Sequence, residues 1–274
     1  MLLRSTVALF SVAAVAALAA GCQSVDGAVK QHGGKARSTL AKIAPLAADL
    51  RTRAPVARDE VAPLDAPLVL DTSYPRGANA ALVYYEDLLA LGELGNVYAR
   101  IGGTKQISEC AALLEHKTFP WDPHEPQRWT EPVAGFEVAS KLEVCGPLRT
   151  LLVIRTMELV KPSGARVEAR TLDGGAELPP PGTVSTPSES ACRVSDVQCR
   201  FDGGQLKAEV HVFALDPFAY KGAFLLDVEN SDKVSLSGAW TDATLERDLA
   251  ARVSGALEAA VSKNIPGAVV EGLP

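Results

Sequence analysis

The placement of five cysteines constrains this fold more than any other feature of the sequence. Cys22 directly follows an apolar leader, whereas Cys110, Cys145, Cys192 and Cys199 lie in the body of the 274-residue chain. The leader has a positive start ending at Arg4 and an apolar run from Val7 to Ala20, interrupted only by Ser11. A membrane span needs about 20 apolar residues, so a run this short has the dimensions of a secretory signal core. Export leads to an oxidising compartment, where an even set of interior cysteines predicts disulfides. Cys192 and Cys199 share one polar stretch and lie too close to serve two separate long-range bridges. They are expected to pair, which leaves Cys110 for Cys145; loop-closure entropy puts the two bridges at about 2.5 and about 4 kcal/mol. The longer bridge is expected to fasten a helical half of the chain to a sheet and so make one domain.

The residues Ala19-Ala20-Gly21 before Cys22 resemble the lipobox of bacterial lipoproteins, with Leu18 one place further upstream than in the most typical pattern. The resemblance covers the leader alone. It implies that the Cys22 thiol receives a diacylglycerol, that the signal peptide is cut before it, and that the new amino group is acylated. Two or three acyl chains, at about 0.8 kcal/mol per buried methylene, anchor far better than one. Gln23, a non-Asp residue after the cysteine, implies by the same resemblance an outer-membrane destination; the domain is expected to face the periplasm, with export to the cell surface as the alternative. The competing reading is a plain secretory signal cut at an Ala-x-Ala-like site, with Cys22 incidental.

Charge then divides the mature chain. Lys30, Lys35, Arg37, Lys42, Arg51, Arg53 and Arg58 face one acid, Asp49, in their stretch, whereas the rest of the chain from Asp59 onward is strongly acidic. The organisation expected is a signal peptide over 1–21, a lipidated basic tether over 22–67 and one periplasmic domain over 68–274. Leu40, Ile43, Leu46, Ala47 and Leu50 recur at helical steps within the tether despite Pro45. A hydrophobic fraction of 47% and a charged fraction of 22% are those of a globular chain with a real core. The net charge of −6 argues against a dedicated nucleic-acid binder.

Within the domain, Leu68 to Leu70 reads as a short buried strand, and Ala78, Leu82, Tyr85 and Leu89 follow a helical stripe. Ile107, Cys110, Ala111 and Leu114 share the face of another helix. From Gly135 the pattern turns to strands: Phe136 to Cys145, then Leu148 to Val160 joined to Arg166 to Leu172 as a hairpin. A polar excursion follows from Pro179 to about Phe201. Leu206 to Val212 alternates to give a strand with one wet face carrying Lys207, Glu209 and His211. Ala223 to Val228 and Val234 to Leu236 add two more strands. Thr241 is a natural cap for a closing helix in which Leu245, Leu249, Val253, Leu257 and Val261 step by four. This order predicts an α+β domain: an antiparallel sheet of five or six strands with N-terminal and C-terminal helices packed on one face.

Catalytic signatures are missing: there is no nucleophile elbow, zinc-protease helix, phosphate-binding loop, dinucleotide fingerprint or Cys-x-x-Cys. His116 and His124 lie near Glu115, Asp122 and Glu125, but Pro120 and Pro123 intervene, so no helix aligns them for a metal. No cofactor or metal is expected. Trp121 and Trp129, fixed among four prolines, form the candidate partner surface, with plugging of the core edge as the competing role. The leading expectation is a non-catalytic binding or envelope-assembly module anchored through acylated Cys22, with an envelope protein or glycan as partner. The alternative is a lipid-anchored hydrolase with a noncontiguous active site.

Overall fold

The computed structural model describes residues 24–71, 77–91, 106–115, 135–167, 189–194, 197–231, 233–235 and 242–273. Helices α1 (Val25–Ile43) and α2 (Leu46–Thr52) come first, followed by strands β1 (Glu60–Val61), β2 (Val69–Asp71) and β3 (Ala80–Tyr84). Three helices succeed them: α3 (Tyr85–Leu89), α4 (Gln106–Leu114) and α5 (Gly135–Cys145). The strand-rich half comprises β4 (Thr150–Val160), β5 (Ser163–Val167), β6 (Glu189–Val194), β7 (Val197–Asp202), β8 (Gln205–Leu215), β9 (Phe218–Glu229) and β10 (Lys233–Ser235). Helix α6 (Asp242–Asn264) and β11 (Val269–Glu271) close the chain.

The fold is α+β, built on a five-stranded sheet in the order β1-β9-β8-β4-β3. Its long strands are antiparallel, but β3 runs parallel to β4, so the sheet is mixed rather than wholly antiparallel. Both faces are covered. On one, Leu152, Ile154, Val210, Val212 and Phe224 meet Leu249, Val253, Leu257 and Val261 of α6. On the other, Leu151, Val153 and Phe213 meet Ile43 of α1, Leu46 and Leu50 of α2, Ile107 of α4 and Leu142 of α5. The closing helix therefore buries the expected stripe, while its expected cap, Thr241, lies outside the described residues. The expectation of helices on one face is corrected, and with it the wet face of β8: Glu209 and His211 are buried.

The largest correction concerns the tether. Residues 25–52 are two helices built into the core, with Ala28, Val29, Ala36, Leu40, Ile43, Leu46, Ala47 and Leu50 all buried. Ser24 caps α1 by accepting the Gly27 N–H at 3.1 Å, and Pro45 falls in the break between the two helices, where its missing N–H costs nothing. At Gly33 a Cβ would stand 2.9 Å from Leu114 Cδ2, so glycine lets α4 approach. The basic charge that suggested a tether sits on the outward side of a packed helix, with Lys30, Lys35 and Arg37 exposed.

Three element assignments also change. Ala80–Tyr84 is a strand rather than part of a helix: all five residues are buried, and a strand covered on both faces reads as an unbroken apolar run that mimics helical spacing. Gly135–Cys145 is a helix rather than a strand, because Val138, Ala139, Leu142 and Cys145 fall on one helical face. Among the described residues the hairpin expected between β4 and the strand at 166–172 is not formed; β4 is flanked by β8 and β3, and β5, which holds the first part of that strand, pairs instead with β7. The polar excursion contains the β6–β7 ladder, with β10 parallel to β6. Cys110 and Cys145 are joined as expected, but the bridge ties α4 to α5, helix to helix, rather than helix to sheet.

Candidate functional site

A buried polar network lies where α2 gives way to β1 and meets the middle of the sheet. Arg155 on β4 and Glu209 on β8 are cross-strand partners, and His211 follows two places on, so all three project from the same face. The Arg155 Nε donates to Glu209 Oε2 at 2.8 Å, and its Nη2 donates to the same oxygen. Arg155 Nη1 donates to the carbonyls of Leu50, at 2.7 Å, and Arg53, at 3.3 Å. The Val56 N–H fills Glu209 Oε1 at 2.7 Å. Side-chain exposure is 14% for Arg155 and 2% for Glu209.

Tyr220 completes the array. A bulge in the β8–β9 ladder sets Phe213 opposite Tyr220 and Val212 opposite Gly222, leaving Lys221 as the extra residue. Gly222 holds φ at 123°, and a Cβ there would stand 2.0 Å from the Glu60 carbonyl oxygen, so only glycine lets β1 pair along this edge. The bulge places the Tyr220 hydroxyl 3.2 Å from His211 Nδ1, while His211 Nε2 lies 3.1 Å from Glu209 Oε2. An ionised Glu209 accepts, so Nε2 carries the proton and Nδ1 accepts from the tyrosine. The Arg53 guanidinium lies 3.7 Å from the centre of the Tyr220 ring.

Tyrosine, histidine and glutamate in line have the connectivity of an acid–base relay, but their electrostatics are those of a clamp. Burial works to raise the Glu209 pKa, yet the Val56 N–H, the Arg155 guanidinium and His211 outweigh it, and the carboxyl titrates below its ordinary value. His211 is pushed below its usual range by burial first and Arg155 next, against the pull of Glu209. Burial raises Tyr220, which keeps its proton at neutral pH. Every polar atom of Glu209 and His211 is engaged, and the array binds the backbone of Leu50, Arg53 and Val56 to the sheet.

The sequence placed His211 on a solvated strand face and did not single out Arg155, Glu209 or Tyr220. The available signal was the Glu209-Val210-His211 step inside an otherwise apolar strand: when both faces are covered, such a pair must be satisfied from within. An open groove of about 860 Å³ lies between α1, the end of α5 and the β8–β9 turn, with Lys35, Lys42 and Arg149 on its walls. His32 Nδ1 meets Glu143 Oε1 there at 3.0 Å, and Lys42 meets Asp216 at 3.9 Å. Among the described residues no group of three or more His, Cys, Asp or Glu could hold a metal, and no helix is long and apolar enough to cross a membrane.

Of the residues singled out from sequence, Cys22, Trp121, Trp129, His116 and His124 lie outside the described residues. Cys192 and Cys199 are Cα partners directly across the β6–β7 ladder. Compared with known protein families, curated proteins and solved structures, the chain gives no match.

Proposed function

We propose that this chain is a lipoprotein of the bacterial cell envelope, anchored through acylated Cys22, whose domain acts as a non-catalytic binding or assembly module. Its station is the outer membrane facing the periplasm, and its partner is an envelope protein or glycan. The leader and lipobox-like residues support the anchor. The observation that carries the module reading is the buried relay-like array, whose groups fasten the chain to the sheet and whose tyrosine stays protonated.

Mass spectrometry of the N-terminal peptide from isolated membranes tests the anchor: a diacylglycerol on Cys22 is expected, and a mature chain with a free thiol there contradicts it. Crosslinking in cells tests the module. Tyr220→Phe should leave the set of crosslinked partners unchanged; loss of that set with the fold intact would assign the tyrosine a direct role and count against the clamp.

A further inference from the structure

We infer that the domain is seated directly on the bilayer by its helical layer, with the outward side of α1 against anionic lipid headgroups, rather than held away from it on a flexible arm. The inference rests on the acylation of Cys22 proposed above and adds the geometry of attachment. Three backbone steps separate Cys22 from Val25, the first residue of α1, a reach of at most about 11 Å. From Ser24 onward the chain is capped helix, and that helix is part of the core through Ala28, Val29, Ala36, Leu40 and Ile43. An anchor so close to a rigid element leaves the domain no room to stand off.

Charge selects the side that faces the membrane. At 100° per residue the buried residues of α1 gather on one side, and Lys30 and Arg37 flank the opposite side on one edge, Lys35 on the other. All three are exposed, and Asp26 is the one acid in the helix. Such a face is drawn to anionic headgroups within a Debye length of the surface. Helix α5 runs parallel beside α1, as His32 against Glu143 and Thr39 against the Gly146 carbonyl establish. Phe136, in the first turn of α5, is 59% exposed. A large apolar side chain exposed on the same helical layer fits the headgroup boundary. Helix α6, on the far face of the sheet, then points to the aqueous side.

Neutron reflectometry on the acylated full-length mature protein, bound to a supported bilayer of phosphatidylethanolamine and phosphatidylglycerol, tests this arrangement. Protein density should begin at the headgroups with no water layer between. A hydrated gap in a sample whose Cys22 acylation is verified by mass would overturn the seating while leaving the anchor intact; absence of the acyl groups would overturn both. A Lys30→Glu, Lys35→Glu, Arg37→Glu variant, acylated and of unchanged melting temperature, should turn the domain about its anchor and so change the shape of the density profile above the headgroups. An unchanged profile would contradict the role given to the cations.

Discussion

The two faces of the central sheet are stabilised by different means. Under α6 the contact is dry along most of its length, where Leu249, Val253, Leu257 and Val261 meet aliphatic and aromatic strand residues, and at the start of the helix Asn230 and Ser231 hydrogen-bond to Asp248 and the Leu245 carbonyl. Under α1 and α2 the contact includes a buried arginine, glutamate and histidine, and a disulfide fastens two of the covering helices. A dry face is governed by buried area and tolerates repacking, because apolar contact is non-directional. A buried ion network is directional: each donor needs its acceptor at one place, so it fixes where residues 50–56 lie on the sheet. The C-terminal helix is held chiefly by area, with a polar catch at its first turns, the N-terminal segment by area and by a buried ion pair.

The largest effect expected from breaking this contrast is at Glu209. Glu209→Ala leaves Arg155 buried without its counter-ion and should cost about 3–5 kcal/mol in denaturant unfolding. Arg155→Met with Glu209→Leu should cost markedly less than the sum of the single changes, whereas additivity would mean the pair is not coupled. On the dry face, Leu249→Ala should cost about 3 kcal/mol through its cavity and behave additively with either polar change. Removing the Cys110–Cys145 bridge with alanines should cost about 2–4 kcal/mol.

The polar face should also make stability depend on pH. His211 and Glu209 both have folded pKa values below their unfolded ones, so the unfolded chain takes up their protons first. Stability should be full above the unfolded histidine value of 6.5, begin to fall below it, and fall further below 4.5 as Glu209 is forced toward protonation. In His211→Asn the part of the loss that begins near 6.5 should disappear from a melting series; persistence of that part would place its origin elsewhere. The smallest effect is expected at the surface. Lys263 meets Asp59 at 3.1 Å but is exposed, and Lys263→Ala should change unfolding by about 0.5 kcal/mol or less.

The same contrast explains what could be read from the sequence. The stripe of α6 was legible because a helix with one dry side writes its period plainly, as were β8, β9 and the Cys110–Cys145 pairing. Ala80–Tyr84 was not legible, since a strand buried on both faces has no alternation to show. The helices at 25–52 were hidden by their charge: Leu40, Ile43 and Leu50 carried the right spacing, but Lys and Arg on the outward side suggested a solvated arm. The clamp was least legible of all. Arg155 and Glu209 are 54 residues apart in sequence, and only the β4–β8 register makes them neighbours.

The central claim is that residues 25–56 are part of the folded domain, fixed by the clamp. Amide hydrogen exchange of the mature protein tests it most directly. The helices at 25–43 and 46–52 should exchange as slowly as β8, to within the spread of the core, and Glu209→Ala should speed exchange in 46–52 before it affects α6. Complete exchange of 25–52 within seconds, with β8 still protected, would show a tether and contradict the account.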